Sequence, residues 1–382
     1  MNKLLICSAA LIVSAVTNHK KVYAWFGNTH KDILEKALRI LNMQDDKKYY
    51  DFFIEYKDIL LKACTEPDNK GDTDKGSGLH YYCAANKRGI ALENISGYFR
   101  NRHNKFNRTA RTMLEENYTM ALSLYKSGDK KAAIHRFGRA LHFIQDIGCT
   151  VHSSGIMYMD RKKNPHYAFE KLAQTIYSDV EPPQTINKQI KKSCETSIEQ
   201  AVNKLSMFSS GFAADVRKVD RDILEKACRS TLPVAQQYTA CMMMRFYNDI
   251  MSNNGNFLIN EKEYSFKNER TNGLLTVTPK GLTIDEAKEG LQQKLTVLLK
   301  PDGSVILKDK EKGFIDKKFK RFANCKDKNN AIGFRIAALG NRRYRITTQA
   351  TKYKKVLSVN NNGALRICRF DPKDKGAVWI IS

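Results

Sequence analysis

The sequence predicts two domains, an all-α helical bundle in the N-terminal two-thirds and an all-β domain in the last third. Apolar residues recur at helical spacing from residue 25 to about residue 251, which indicates amphipathic helices. Apolar and polar residues then alternate over short runs, which is typical of strands. The total of 382 residues exceeds one ordinary domain. The polar stretch 252–256 predicts the boundary, giving domains at 25–251 and 252–382.

The first 24 residues have the pattern of a signal peptide. Lys3 supplies the positive charge, residues 4–16 form a short apolar run, and Val22-Tyr23-Ala24 offers a small-x-small-like cleavage site. The mature chain would then begin at Trp25. We therefore predict export, to the exterior or to the periplasm.

The helical pattern starts directly after this segment. Asn28 or Thr29 can cap a helix, and the apolar stripe that follows runs through His30, Ile33 and Leu41. Polar residues rich in Gly and Asp at Thr65 to Tyr82 predict a long loop, and such loops are usually functional or disordered. The same reasoning predicts helices at 54–63, 108–125, 130–147, 166–177, 186–207, 216–228 and 234–251.

Short β-runs separated by turn signals fill the last third, with Asp302-Gly303 and Asn362-Gly363 as hairpin turns. Two stretches, 298–310 and 357–370, both read strand, turn, strand, and the chain ends on Val-Trp-Ile-Ile-Ser. This resembles the last repeat of a lectin-type β-trefoil, which we favour over a β-sandwich. Strands are predicted at 274–277, 295–298, 305–307, 334–336, 344–346, 356–359 and 365–367, with a helical insert at 285–294.

The net charge indicates the class of binding partner, and the cysteine content bears on disulfide bonds and on the type of metal site. The chain carries a formal net charge of +25, and residues 252–382 hold 27 Lys and Arg against 13 Asp and Glu. A basic surface favours anionic partners, such as phospholipid membranes or nucleic acid. An even number of cysteines in an exported chain suggests disulfide bonds, while the absence of CxxC argues against a thiolate zinc site. The eight cysteines after the signal are Cys64, Cys83, Cys149, Cys194, Cys228, Cys241, Cys325 and Cys368.

Most of the candidate metal-binding residues lie between residues 142 and 170. His142 and Asp146 are four residues apart on a strongly helical pattern, so that both can reach one metal ion. His152 follows six residues later. His166 and Glu170 repeat the four-residue spacing just after Pro165, which can open a helix. Two such pairs on two helices are typical of multi-metal sites in helical bundles.

These residues resemble the signature of the bacterial zinc-dependent phospholipase C family, which shares its helical fold and a trinuclear zinc site with fungal single-strand nucleases. The signature is H-x3-D-x5-H followed by H-x3-E or H-x3-D. The family also begins its mature chain with a Trp whose amino group and carbonyl bind zinc, which Trp25 matches, with His30 nearby. A loop Asp followed by a His completes the set. Asp68 and His80 fit, with Asp72 and Asp74 as substitutes for Asp68.

The resemblance implies three Zn²⁺ ions and hydrolysis of phospholipids to diacylglycerol and a phosphorylated headgroup. Asp68 would also orient or deprotonate the attacking water. The alternatives are a single-strand nuclease of the same fold, for which nucleic acid would be the substrate, and a binding protein without catalysis. The C-terminal domain would bind an anionic membrane or a glycan. The implied ligands are Asp68, His80, His142 and Asp146 for one ion, His152, His166 and Glu170 for a second, and Trp25, His30 and Asp146 for the third.

Overall fold

The structure is a computed structural model that carries side chains. It describes residues 25, 27–84, 99–100, 106–157, 164–252, 257–278, 281–286, 293–311, 313–315, 324–325, 331–340, 342–348, 355–369, 371 and 374–382. The predicted signal peptide, His103 and most of the polar stretch after Ser252 lie outside these ranges.

The N-terminal part is helical, as predicted. Short 3-10 turns and one two-stranded ribbon, β1 (Phe99–Arg100) with β2 (Phe106–Asn107), are its other regular elements among the described residues. The helices are α1 (Gly27–Asn42), α2 (Lys48–Ile54), α3 (Lys57–Ala63), α4 (Ala110–Lys126), α5 (Lys130–Gly148), α6 (Thr150–Ser153), α7 (Pro165–Ile176), α8 (Lys188–Thr196), α9 (Ile198–Ser210), α10 (Ala213–Val216) and α11 (Arg221–Met251).

Several helix bounds differ from the prediction, and two of the differences have a clear local feature. The helix predicted over 186–207 is broken at Ser197, whose extended backbone and side chain cap α9 by accepting from the amide of Gln200. Conversely, α11 runs through Pro233, where the sequence predicted a break. Proline removes one backbone hydrogen bond. The helix continues because its flanking residues Leu232 and Ala235 are fully buried in the core.

Helix α5 lies at the centre of the bundle and carries the predicted His142 and Asp146. Asp129 caps its start by accepting from the amide of Ala132. Two glycines let neighbouring helices approach closely. A Cβ atom at Gly138 would lie 2.7 Å from the Cβ of Ala63, and one at Gly148 would lie 2.8 Å from that of Ala235. This close packing fixes α5 against α3 and α11.

The C-terminal part is an antiparallel β-domain, also as predicted. Asp285 ends a strand here, and most of the predicted helical insert lies outside the described residues. The strands are β3 (Glu263–Tyr264), β4 (Phe266–Asn268), β5 (Leu274–Thr278), β6 (Gly281–Asp285), β7 (Leu295–Leu299), β8 (Val305–Asp309), β9 (Gly313–Ile315), β10 (Asn324–Cys325), β11 (Phe334–Gly340), β12 (Arg343–Thr348), β13 (Val356–Val359), β14 (Leu365–Cys368) and β15 (Val378–Ile381).

The strand pairing closes on itself. The neighbouring strands β3 and β4 pair with β7 and β15 respectively, and β7, β8, β11, β12 and β15 pair in succession between them. Three further hairpins, β5–β6, β9–β10 and β13–β14, are attached to this ring. Among the described residues, β8 to β11 and β12 to β15 therefore share one four-strand connection, and β3 to β7 follow a similar one in which β3 and β4 divide the pairings of the first strand. Trp379, fully buried, donates to the carbonyl of Leu357 inside the ring.

The two parts of the chain share a core. Met120, Leu124 and Ala133 of the helical part pack in the same apolar cluster as the strands of the β-domain. Polar contacts reinforce this packing, since the amide of Ala338 on β11 donates to the hydroxyl of Thr119 on α4 at 3.1 Å. The β-domain is thus packed directly on α4 and α5.

The predicted disulfide bonds are not found among the seven cysteines whose side chains the structure describes. Six of these seven are buried, and burial raises the pKa of Cys64 to about 12. Cys194 and Cys241 do lie within hydrogen-bond reach of each other. Within the described ranges, no helix has the length and apolar composition needed to cross a bilayer.

Candidate metal centre

Five predicted ligands meet in one buried cluster around Asp146. On α5, the Nε2 atom of His142 lies 3.1 Å from Asp146 Oδ2. His80 comes from the 3-10 turn Ser77–His80, and its Nδ1 atom lies 2.8 Å from the same oxygen. Asp68, from the 3-10 turn Glu66–Asp68, places Oδ1 3.8 Å from His80 Nδ1 and 3.9 Å from His142 Nε2. His30 of α1 completes the cluster, with Nε2 3.6 Å from Asp146 Oδ1.

A second cluster adjoins the first. His152 of α6 and His166 of α7 each place Nε2 3.0 Å from Glu170 Oε1. Helix α7 opens at Pro165, as predicted, and Asn164 caps it by accepting from the amide of Tyr167. The four-residue spacing then puts His166 and Glu170 on one buried face. Cys149 also lies beside this cluster, but burial raises its pKa well above the ordinary value, which keeps it protonated and a poor ligand.

Four of the five histidines are held in the same way. Each uses Nδ1 to donate to an oxygen, which fixes the tautomer and turns Nε2 toward a carboxylate of its cluster. These anchoring bonds run from His30 to the Gln145 side chain at 2.6 Å, from His142 to the carbonyl of Cys64 at 2.8 Å, from His152 to the carbonyl of His80 at 2.9 Å, and from His166 to the carbonyl of Ile156 at 2.7 Å. His80 differs, because its Nδ1 atom faces Asp146.

Three ligand atoms of the first cluster suit a cation. His30 Nε2, Asp68 Oδ2 and Asp146 Oδ1 are buried and make no hydrogen bond to any described residue. They face one another at 3.6 Å and 4.0 Å, beyond hydrogen-bonding distance. Buried polar atoms are costly without partners. Imidazole and carboxylate donors without thiolate are a ligand set that Zn²⁺ accepts. The residues present therefore fit a zinc centre.

Burial and neighbouring charges shift the ionisation of these groups. Burial lowers the pKa of His30 to about 3, which keeps Nε2 unprotonated and available as a ligand. Burial raises the pKa of Asp68 to about 6, although the imidazoles of His142 and His80 partly offset it. Burial also opposes ionisation of Asp146, but His142 and His80 outweigh it and hold the pKa of this carboxyl well below its usual range. Asp146 is thus the carboxyl group of this cluster whose ionised form is most strongly favoured.

Trp25 lies beside the first cluster, although its side chain is not a ligand. Its indole is fully buried, donates to the carbonyl of Gln145 at 2.9 Å and packs on Phe169 with ring centroids 5.6 Å apart. Gln145 directly precedes Asp146. The indole of Trp25 is therefore anchored next to the helix turn that carries Asp146, and its role as a ligand through the main chain stays a prediction.

The substitutes considered for Asp68 have another role. Asp72 and Asp74 bind the guanidinium of Arg139, so they face away from the histidine cluster. His135, on the same helix as His142, pairs with Glu66 at 2.7 Å on the partly exposed side of α5. These residues pack around the outside of the site.

Two residues of the site escaped the sequence reasoning. Gln145 orients both His30 and Trp25, and its only sequence signal is its position next to Asp146. Tyr81 stacks on His152 with ring centroids 4.6 Å apart, and its hydroxyl lies 3.3 Å from Nδ1 of His166. Tyr81 directly follows His80 in the chain, but its contact with the second cluster requires the folded chain.

Comparison with solved structures shows the fold. A scan of protein-family models found no match, nor did a search of curated sequences. The Clostridium perfringens alpha-toxin from an avian strain is similar over 93% of this chain and 96% of its own, with a TM-score of 0.51 and 14% identity. The alpha toxin of Clostridium absonum is similar over 90% and 96%, with a TM-score of 0.52 and 15% identity. The chain therefore has the fold of the clostridial alpha-toxins, a helical N-terminal part followed by a β-domain.

Proposed function

We propose that this chain is a secreted zinc-dependent phospholipase C that hydrolyses the glycerol–phosphate ester of phospholipids. One observation carries the proposal, namely that four imidazoles, each anchored through Nδ1, turn Nε2 toward two buried carboxylates in adjacent clusters. The resemblance of the ligand spacing to the phospholipase C family and the shared fold with the alpha-toxins support the same assignment.

The proposed ligands divide into three groups. Asp146, with an oxygen in contact with His80 and His142 and another facing His30, is suited to be shared between two ions. The backbone of Trp25 would join His30 in the group next to it. The first group is Asp68, His80, His142 and Asp146, the second is His152, His166 and Glu170, and the third is Trp25, His30 and Asp146.

Bound zinc supplies Lewis acidity, which lowers the pKa of water and stabilises negative charge on phosphoryl oxygens. The chain's own residues determine where this chemistry acts. Asp68 lies at the edge of the first cluster, where its carboxylate can orient the attacking water and accept its proton. Tyr81 stacks on the imidazole of His152, where it would limit the access of water to the second cluster. Catalysis rests on these groups being fixed before substrate binds.

The export of the chain would be part of building the site. The third group needs a free amino group at Trp25, which exists only after cleavage of the predicted signal peptide. In the precursor this nitrogen is an amide and a poor ligand. Activity would therefore appear only in the exported, processed protein.

We further propose that the C-terminal domain is a β-trefoil that docks the enzyme on its substrate surface. The closed ring of strands with three attached hairpins supports this assignment over the β-sandwich. Its excess of Lys and Arg favours an anionic membrane, since each basic residue contributes about 1 kcal/mol near such a surface. A glycan remains the second candidate ligand, because lectin-type trefoils bind sugars.

Diacylglycerol release from mixed phospholipid vesicles tests the proposed activity. The chain beginning at Trp25 is expected to release diacylglycerol and to lose this activity with a zinc chelator. His142→Ala should be inactive, whereas His135→Ala is the matched control, because His135 lies on the same helix and contacts Glu66 instead of the cluster. Zinc-containing protein that releases no diacylglycerol but cleaves single-stranded nucleic acid would favour the nuclease instead.

Replacing Gln145 tests the anchoring of the first cluster. Gln145→Leu removes the acceptor of His30 Nδ1 at 2.6 Å, while the backbone carbonyl that holds Trp25 stays in place. Loss of such an outer partner typically costs about 10- to 100-fold in metal affinity or activity. We expect a loss of this size in zinc affinity, measured by chelator competition. The exposed Gln184→Leu serves as the control, and equal affinity in the two variants would contradict the assigned role.

A further inference from the structure

The loop that carries Asp68 and His80 has little structure of its own. Two short 3-10 turns, Glu66–Asp68 and Ser77–His80, are its regular elements, and the backbone hydrogen bonds within residues 66–80 join residues three apart in the chain. The loop nevertheless places both residues in a buried cluster. Its position must therefore depend on side-chain contacts with the rest of the molecule.

Asp74, midway along this loop, provides the firmest of these contacts. Its side chain is fully buried between two guanidinium groups. Oδ2 lies 2.8 Å from Nη2 of Arg139, which is on α5 three residues before His142. Oδ1 lies 2.7 Å from Nη1 of Arg335, which is on β11 of the C-terminal domain. One carboxylate of the loop is thus clamped between the metal-bearing helix and the β-domain.

Arg335 contacts the loop at a second point. Its Nη2 atom donates to the hydroxyl of Thr73 at 3.2 Å, and only 3% of the residue is exposed. The nearby Glu116, 3.9 Å from Nη1, is itself paired with Arg108. A buried charge that loses its partner is strongly destabilised, so the loop and β11 favour each other's placement.

We propose that Arg335 is a positioning residue of the metal centre, through which the C-terminal domain holds Asp68 and His80 in place. The β-domain then has a second function besides surface binding, which is to complete the metal site of the helical domain. This inference rests on the proposed function only in taking Asp68 and His80 as zinc ligands. The clamp itself is independent of the substrate.

The test compares Arg335→Met with Arg343→Met in the full mature chain. Arg343 is a matched control, because it lies on the adjacent strand β12 and pairs with Glu269 inside the β-domain. Arg335→Met is expected to raise hydrogen exchange of residues 66–80 at least tenfold and to weaken zinc binding in chelator competition by about 10- to 100-fold. Arg335→Lys should recover part of both. Loop exchange and zinc affinity equal to those of Arg343→Met would overturn the proposal.

A milder variant keeps the test decisive if Arg335→Met does not fold. Thr73→Val removes one hydrogen bond to Arg335 without leaving a buried charge, and we expect a several-fold increase in exchange confined to residues 66–80. Unchanged exchange in that variant would overturn the proposal. Wild-type protein that binds no zinc would refute the proposed function, whereas the exchange comparison would still decide whether Arg335 positions the loop.

Discussion

The Asp146→Asn variant is expected to hydrolyse phospholipid roughly a thousandfold more slowly than the wild type. This loss corresponds to a rise of about 4 kcal/mol in the activation free energy. Asparagine preserves the shape of the side chain but removes its charge and one of its two oxygens. Both oxygens are used, since Oδ2 lies 2.8 Å from His80 and 3.1 Å from His142, and Oδ1 faces His30. The variant should also lose zinc, measured by elemental analysis of the purified protein.

The control for this variant is Asp215→Asn, an exposed carboxylate of the same domain that pairs with Lys218. It should retain full activity and full zinc content. An Asp146→Asn protein with normal zinc content would show that the cluster is held by its imidazoles alone. In that case the shared-ligand role of Asp146 would be wrong.

The second large effect concerns the N-terminus. A mature chain that retains Tyr23 and Ala24 is expected to bind one zinc ion fewer than the chain beginning at Trp25, and to lose roughly a hundredfold or more of its activity. The physical reason is that the third group would use the free amino group of Trp25, while the indole of the same residue is anchored by Gln145 and Phe169. The extension converts a ligating amine into an amide.

A removable extension provides the control. The same two residues can be placed behind a protease site, so that cleavage regenerates the amino group of Trp25 in an otherwise identical sample. Zinc content and diacylglycerol release should both rise on cleavage. Equal zinc content before and after cleavage would mean that the N-terminal amine is not a ligand.

The division into a helical part and a β-domain was predictable, because the spacing of apolar residues along the chain directly reflects which side chains are buried. The stripe through Ile33 and Leu41 is buried in α1, and the change to alternating residues coincides with the start of the strands. The short-range pairs were also predictable, because a helix fixes the relation between residues four apart. His142 with Asp146 and His166 with Glu170 depend on nothing beyond the helices that contain them.

Long-range features were not predictable in the same way. The sequence favoured Asp68 but left Asp72 and Asp74 as substitutes, and their ion pairs with Arg139 are what separate them from the acid that faces the histidines. Gln145 gains its role from partners more than a hundred residues away in the chain. The disulfide prediction relied on a count alone and carried no information about which thiols meet.

The ring of the β-domain has a consequence for how the protein matures. Its closure depends on β15, which pairs with β4 from the start of the domain, and pairing over such long separations is intrinsically slow. During synthesis the helices emerge first and can collapse before β11 is ordered. Residues 66–80 can then be fixed in place only after β11, which carries Arg335, has folded. Metal loading would therefore be a late event of biogenesis, completed only after the last strand has docked, and a chain arrested earlier would be a helical intermediate without a finished active centre.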